Sequence, residues 1–419
     1  MEIAVIKKPS RLLSGHLWVF SNELAQSPKR FEPGSLVELQ DRFGAFLGIA
    51  YINPHSLIAA RILTRRKEEI NEGFFKKRIL EALEYRRPFL KEGAGFRAVF
   101  SEGDFLPGLI VDKYADCLSV QFLTLGMDRF SDAVINVLDE IFKPKAIVLR
   151  NDGSMRSLEG LVLEKRLVKG QLDSLPVIRE GAAVFEVDPL GGQKTGFFLD
   201  QSGNRLAFSG MAGGKTGLDL FCYTGAWSIG MALSGVENIT AIDSSDTAIK
   251  QARKNAELNN VSEKCSFVKE DVNRFVEGAL SANRLYDRIT LDPHAFVKSR
   301  ALVGEGARAY RKINGSCMRL LKKGGLLATS SCSYHIGREE FLEILRNAAK
   351  DAGRAFRLVE ARTQAKDHPV NLSVPESAYL KCMIVQCAGY GHSEKLEKQL
   401  VNERIGATSR SPALRTQKM

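Results

Sequence analysis

A chain of 419 residues is too long for one ordinary core and predicts two or three domains. Its 44% hydrophobic and 26% charged residues are those of soluble globular protein, and no run approaches ~18 consecutive apolar residues, which argues against a transmembrane helix. The formal net charge of +11 favours a polyanionic partner, while seven scattered cysteines without any CxxC spacing argue against a disulfide framework or structural zinc.

Met1-Glu2-Ile3-Ala4-Val5 reads as a strand with no basic region ahead of an apolar segment, so no signal peptide is expected and the expected location is cytoplasmic. Residues 1–72 read as all-β, with β-rich runs at 34–39 and 45–52 broken by Pro28, Pro33, Gly44 and Pro54. Gly15-His16-Leu17-Trp18-Val19-Phe20 lies among Lys7, Lys8 and Arg11 and reads as a core strand with a basic flank. A helix is predicted over 74–90, and Phe130, Val134, Val137, Leu138 and Ile141 form an apolar helical stripe, so 73–188 reads as a small α+β unit. From 189 the rhythm is regular. Strands at 217–221, 239–243, 266–269, 287–292 and 326–330 alternate with helices, which predicts an α/β, doubly wound, mostly parallel sheet through about residue 388. The remaining 389–419 are polar and are expected to be disordered.

Open α/β sheets bind ligands at the carboxyl ends of their strands, near the switch in strand order. The first strand there ends Asp219-Leu220-Phe221-Cys222-Tyr223-Thr224-Gly225, where only Gly225 offers the close backbone approach that a pyrophosphate needs repeatedly. Asp243 closes the second strand 24 residues after Asp219, and Asp271 and Asp292 close the third and fourth. Each acid alone is equally well read as a helix cap. Four in register, with the Phe221-x-x-x-Gly225 turn, suit a cofactor with ribose, amine and adenine donors but no phosphate, which points to S-adenosyl-L-methionine rather than NAD or ATP. The candidate cofactor residues are Asp219, Phe221, Thr224, Gly225, Asp243, Ser244, Asp271 and Val272. Gly213-Gly214-Lys215-Thr216 imitates a P-loop, but the required earlier glycine is Ser209 and the segment precedes a strand, so no nucleotide triphosphate site is expected.

Cys332, in Thr329-Ser330-Ser331-Cys332-Ser333, follows the fifth strand and faces Asp292-Pro293 across the same edge. A lone cysteine is usually a small buried hydrophobe. At this edge its thiolate can add to carbon 6 of a pyrimidine and activate carbon 5 towards a sulfonium methyl, with Asp292 at the N3 edge of the base. Residues 298–323 carry eight Lys and Arg (298, 300, 308, 311, 312, 319, 322, 323) against Glu305, either a solvated helix face or a phosphate contact beside the pocket.

At these residues the chain resembles the RlmI-like rRNA cytosine-5 methyltransferases. The resemblance runs to about residue 388 and includes Gly15-His16-Leu17-Trp18-Val19-Phe20, Leu106-Pro107-Gly108-Leu109-Ile110-Val111-Asp112 and Gly192-Gln193-Lys194-Thr195-Gly196-Phe197-Phe198-Leu199-Asp200-Gln201. Asp219-to-Gly225, Asp367-His368-Pro369 and Tyr379-Leu380-Lys381 continue it. It implies an N-terminal PUA RNA-binding domain (1–72), a central α+β domain (73–188) and a Rossmann-like methyltransferase domain (189–388). It also implies that Asp219, Asp243 and Asp271 hold the cofactor with Asp200 and Arg205 nearby, that Cys332 is the nucleophile, and that the substrate is large-subunit 23S rRNA. One departure is His294, where the family reads a second proline after Asp292-Pro293. It reads either as a tolerated exposed replacement or as a base that removes the carbon-5 proton.

The expected partner is therefore RNA, with no membrane and no metal, and a homodimer is compatible with the sequence. Two other readings stand beside 5-methylcytosine formation. One is methylation of a base nitrogen, which leaves Cys332 idle; the other is a catalytically weak RNA-binding factor for ribosome assembly, which only His294 favours.

Overall fold

The computed structural model describes residues 1–211, 213–297 and 299–390. The interrupted N-terminal runs form a five-stranded sheet of β1 (Glu2–Val5), β2 (Trp18–Val19), β3 (Leu36–Gln40), β4 (Phe46–Ile52) and β5 (Ala60–Thr64), ordered β1-β3-β4-β5-β2. A short helix, α1 (Ser10–Leu13), interrupts what the sequence reads as all-β. Alternation along β3 turns Val37 and Leu39 onto a core shared with Ala4, Ile6, Leu17 and Val19.

The same sheet is bound to the unit that follows. Ile49, Tyr51 and Leu63 belong to the apolar core of that unit. The buried Tyr51 hydroxyl donates to the Pro107 carbonyl and meets Thr124 Oγ1, both at 2.9 Å. Trp18 Nε1 donates to Glu102 (2.8 Å), and Arg61 pairs with the buried Glu159 (3.0 Å). Gly126 permits this packing, because a Cβ there would stand 2.0 Å from Tyr51 Cγ.

The central unit begins with α2 (Glu72–Arg86), where the Asn71 side chain accepts from Phe74 N at 3.1 Å. It stops short of the expected end at Leu90 because Pro88 cannot continue a helix. There follow β6 (Phe96–Phe100), β7 (Leu109–Tyr114), β8 (Cys117–Phe122), α3 (Leu125–Asp128), α4 (Ser131–Phe142), β9 (Ala146–Asn151), α5 (Met155–Leu158) and β10 (Glu164–Gly170). The strands lie in the order β10-β9-β8-β7-β6, and the predicted stripe buries Val134, Val137 and Leu138 of α4 against them. A hairpin, β11 (Val177–Glu180) and β12 (Ala183–Glu186), leads onward.

The third unit holds α6 (Ser202–Gly210) and a seven-stranded sheet. Its strands are β13 (Thr216–Leu220), β14 (Asn238–Asp243), β15 (Cys265–Lys269), β16 (Tyr286–Leu291), β17 (Leu321–Ser331), β18 (Arg354–Arg362) and β19 (Lys381–Tyr390), ordered β15-β14-β13-β16-β17-β19-β18. The first five strands are mutually parallel, as expected; β19 enters antiparallel between β17 and β18, and neither of these last two was read from the sequence. Gly389 and Tyr390 extend β19 into the segment expected to be disordered, and its remainder, 391–419, lies outside the described residues. Helices α7 (Ala226–Leu233) and α8 (Asp246–Leu258) cover one face, with Ile229 and Ala252 buried; α9 (Val272–Ser281), α10 (Val303–Arg319) and α11 (Arg338–Asp351) cover the other, with Val276, Ile313 and Phe341 buried. The chain proceeds from β13 outward through β14 to β15, then returns to β16 on the opposite side of β13. That reversal opens a crevice at the carboxyl ends of β13 and β16. Among the described residues no helix is long and apolar enough to cross a membrane.

Candidate active site

Beyond β13 the chain turns sharply into α7, with Phe221, Tyr223 and Gly225 at φ of 64°, 47° and 82°. Left-handed backbone is costly for large side chains, so the turn must be held from outside. Cys222 N donates to the Ile242 carbonyl (3.0 Å), and Tyr223 N donates to Asp243 Oδ2 (3.0 Å). The Tyr223 hydroxyl donates to the Gly196 carbonyl (3.1 Å) and accepts from Gln193 N (2.8 Å), which ties the 191–201 loop to the turn. Gly225 serves through its backbone: a Cβ would meet the Phe267 ring at 3.0 Å.

This turn floors a cavity of about 740 Å³. Asp200, Arg205, Phe221, Thr224, Asp243, Ser244, Asp271, Val272, Asp292 and Cys332 all line it. Gly225 and Asp219 do not: Gly225 acts by shaping the turn, and the expected role of Asp219 at the cofactor is corrected. Asp219 is the penultimate residue of β13, so its fully buried side chain leaves the sheet face rather than the strand end. There Oδ2 accepts from Ser228 N (3.0 Å) and Ser228 Oγ (2.6 Å), and Oδ1 accepts from Thr290 Oγ1 (2.7 Å), its cross-strand neighbour. Burial pushes this carboxyl up to about 6 against those bonds. Asp219 is a tie between β13, β16 and α7. Arg205 lines the cavity, but its guanidinium is already held by both Glu180 oxygens (2.7 and 2.5 Å). Among the described residues no group of three His, Cys, Asp or Glu side chains could hold a metal ion.

Two buried polar atoms of this wall, Asp200 Oδ1 and Thr224 Oγ1, lack any hydrogen-bond partner among the described residues. Buried polar groups are rarely left so, and both residues face the cavity. Burial raises the Asp200 carboxyl, but Lys194, His368 and Tyr379 outweigh it and hold it well below the usual carboxylate range. A fixed anion with a free oxygen suits an amine, a free hydroxyl suits a carboxylate, and Asp243 at the β14 end suits ribose hydroxyls. That set of two acceptors and one hydroxyl fits S-adenosylmethionine, which presents an amine, a carboxylate and ribose hydroxyls.

Asp292 and Cys332 line the same cavity from the ends of β16 and β17. Asp292 Oδ1 accepts from Gln201 Nε2 (2.9 Å) and Oδ2 from Trp227 Nε1 (3.2 Å). Burial first, then the Asp200 charge, raises this carboxyl. The amide of Gln201 is oriented by a chain the sequence did not reveal. Arg362 Nε donates to Asn204 Oδ1 (3.0 Å), which turns Asn204 Nδ2 towards Gln201 Oε1 (2.6 Å) and leaves Gln201 Nε2 for Asp292 and Ser330 Oγ (3.0 Å). Arg362 cannot accept, so the direction of the whole chain is fixed. Cys332 Sγ lies 3.9 Å from the Pro293 carbonyl, and burial raises its thiol. His294 is exposed at the rim, its ring edge-on to Phe221 and Phe296 at 6.0 and 5.3 Å.

The basic stretch divides. Arg311 pairs with Asp351 and Lys322 with Asp287, while Lys298 lies outside the described residues. Because α10 runs back from the carboxyl edge and β17 starts anew from the amino edge, Arg319, Lys322 and Lys323 sit away from the cavity rather than beside it.

The sheet order, the strained turn and the unpartnered acceptors define a class I S-adenosylmethionine-dependent methyltransferase, and residues 165–385 match the S-adenosylmethionine-dependent methyltransferase family while residues 7–65 match a PUA-like domain. Curated relatives refine this. Ribosomal RNA large subunit methyltransferase I of Pseudoalteromonas translucida is 37% identical, covering 88% of this chain and 94% of its own, and that of Klebsiella pneumoniae is 35% identical over 88% and 94%. The chain belongs to the ribosomal RNA large subunit methyltransferase I family. A solved structure of a candidate SAM-dependent methyltransferase from Streptococcus mutans shares the fold, with a TM-score of 0.79 at 21% identity over 92% of this chain and 100% of that one. Another, of a candidate methyltransferase complexed with SAH, gives 0.79 at 20% over the same shares.

Proposed function

We propose that this chain methylates carbon 5 of a cytosine in 23S rRNA through a covalent adduct with Cys332. Its relatives are named for large-subunit ribosomal RNA methylation, which supports rRNA as the substrate. The observation that carries the carbon-5 chemistry is that Cys332 and Asp292 share one cavity with Asp243, Asp271 and the unpartnered Asp200 and Thr224 oxygens. Asp200, Thr224, Asp243 and Asp271 would hold S-adenosylmethionine, which when bound supplies an electrophilic methyl on its sulfonium. Cys332, deprotonated, adds its sulfur to carbon 6, and the displaced electron pair makes carbon 5 nucleophilic. Asp292, its carboxyl raised by burial, bonds the N3 edge as negative charge develops there. After methyl transfer the carbon-5 proton leaves to a base, and the electrons of that C–H bond restore the double bond and expel the Cys332 thiolate. In this reading residues 1–72 grip the RNA, and residues 73–188 hold that module against the methyltransferase unit, 189–388.

The test is rRNA carrying 5-fluorocytidine, from which fluorine cannot depart as a proton does. Wild type is expected to be trapped as a covalent adduct, and Cys332→Ala to lose both adduct and product. A Cys332→Ala protein that methylates at the wild-type rate would place the chemistry on a base nitrogen instead.

A further inference from the structure

Lys381 is almost wholly buried on β19, opposite Ser331 of β17 in the strand register. Its ammonium donates to the carbonyls of Ser333 (2.7 Å) and Tyr379 (2.9 Å), and among the described residues it forms no salt bridge. A cation taken out of water without an acid is costly, and two carbonyls only partly offset the loss. An ammonium has three donors, so one remains after those bonds. Cys332 stands between Ser331 and Ser333, immediately beside the carbonyl that holds the ammonium. On Cys332 the foremost charge is that of Lys194, followed by Asp292 and Asp200, with Lys381 the least of the four, and the phenols of Tyr310 and Tyr379 lie nearby. On Lys381 itself, Cys332 is the foremost charge partner, ahead of Glu340. Lys194 is half in water and spends its charge on Asp200 at 2.9 Å. Lys381 is buried and bonds carbonyls rather than a carboxylate.

We propose that Lys381 is the counter-charge of the Cys332 thiolate, a positioning residue that makes the sulfur reactive. This rests on the reading of Cys332 as the nucleophile. Burial drives both groups towards their neutral forms, raising the thiol and lowering Lys381 to about 8, and their mutual attraction opposes both shifts. At neutral pH Lys381 stays protonated, and the thiol proton leaves to water before the sulfur–carbon bond forms.

The experiment is iodoacetamide alkylation of the full-length protein from pH 6 to 10, followed at the Cys332 peptide by mass spectrometry. Lys381→Gln keeps a donor for the two carbonyls and removes the charge. Because Lys381 titrates at about 8, the difference is expected below that pH: the Lys381→Gln rate at pH 7.5 falls about tenfold while the two profiles converge above about pH 9, and Lys381→Arg is expected to restore most of the rate. SAH affinity measured alongside establishes that the variants are folded. A folded Lys381→Gln protein with the wild-type profile overturns the proposal; if that variant does not fold, a Lys381→Arg profile shifted as far upward as that of Lys194→Gln does the same. Absence of the 5-fluorocytidine adduct in wild type would instead defeat the carbon-5 reading and leave the alkylation result standing.

Discussion

Asp243→Ala is expected to weaken cofactor binding and loosen the turn that shapes the site. The carboxylate has two duties. Its oxygens accept from Tyr223 N at 3.0 Å and Ser245 N at 2.8 Å, and it lines the cavity where ribose hydroxyls would lie. A hydrogen bond to a charged group contributes about 1.5–3 kcal/mol, which corresponds to roughly a 10- to 150-fold rise in Kd. The loss of the Tyr223 bond adds to this indirectly, because Tyr223 sits at φ 47° and leans on that acceptor. Leaving such an amide without a partner costs about 1–3 kcal/mol, less wherever water enters. Asp243→Asn separates the duties poorly: one oxygen still accepts, but the new NH2 faces a backbone N–H. It should resemble Asp243→Ala in stability and lie between it and wild type in affinity. Titration calorimetry with SAH gives the affinity and urea unfolding the stability. An Asp243→Ala protein that is folded and binds SAH within twofold of wild type would refute the placement of ribose at this residue.

Asp219→Asn should leave SAH affinity within twofold, since the residue does not line the cavity. The sign of its pH effect follows from a carboxyl raised on folding from 3.8 to about 6: the stability it contributes is present below the unfolded pKa and is lost as pH rises through about 6. That loss is about 3 kcal/mol, so urea unfolding from pH 4 to 7 should show Asp219→Asn gaining on wild type by that order, and parallel curves would refute it. Gly126→Ala drives a methyl into the Tyr51 ring and should cost at least the ~1–3 kcal/mol of an overpacked core; an unchanged denaturation midpoint would contradict the packing described. His294→Pro should slow release of the Cys332 adduct if the imidazole removes the carbon-5 proton, by ~10²–10⁴-fold. Equal single-turnover release in both proteins from pH 6 to 8 would leave His294 as an exposed aromatic edge.

The central frame of the catalytic unit was legible because its strands are apolar runs that end in acids. β14 closes on Asp243, Asp271 caps α9, and Asp292 follows β16 directly, so spacing alone carried these to the cavity. Asp219 failed the same test by one residue: a strand alternates its faces, and no pattern in the sequence says whether Leu220 or Asp219 ends β13. β18 and β19 escaped notice because the order β17-β19-β18 joins segments distant in the chain. The chain from Arg362 through Asn204 and Gln201 to Asp292 escaped for the same reason, since residues 158 positions apart meet only in the folded sheet. Lys381 stood in a stretch that matched the family, yet nothing in Tyr379-Leu380-Lys381 reveals that its ammonium is buried beside the Cys332 turn.

The shared core between the N-terminal sheet and the unit after it bears on how a target would be chosen. Tyr51, Arg61 and Trp18 are fastened to Pro107, Glu159 and Glu102, and His16 reaches Glu376 of the catalytic unit at 3.2 Å. Modules joined by a slack tether search a volume, whereas modules joined through one packed interior behave as the two jaws of a caliper. A nucleic acid gripped by the first jaw would offer the second only the nucleotide that lies at one set separation and angle, so a folded RNA would be selected by its dimensions before any base edge is read.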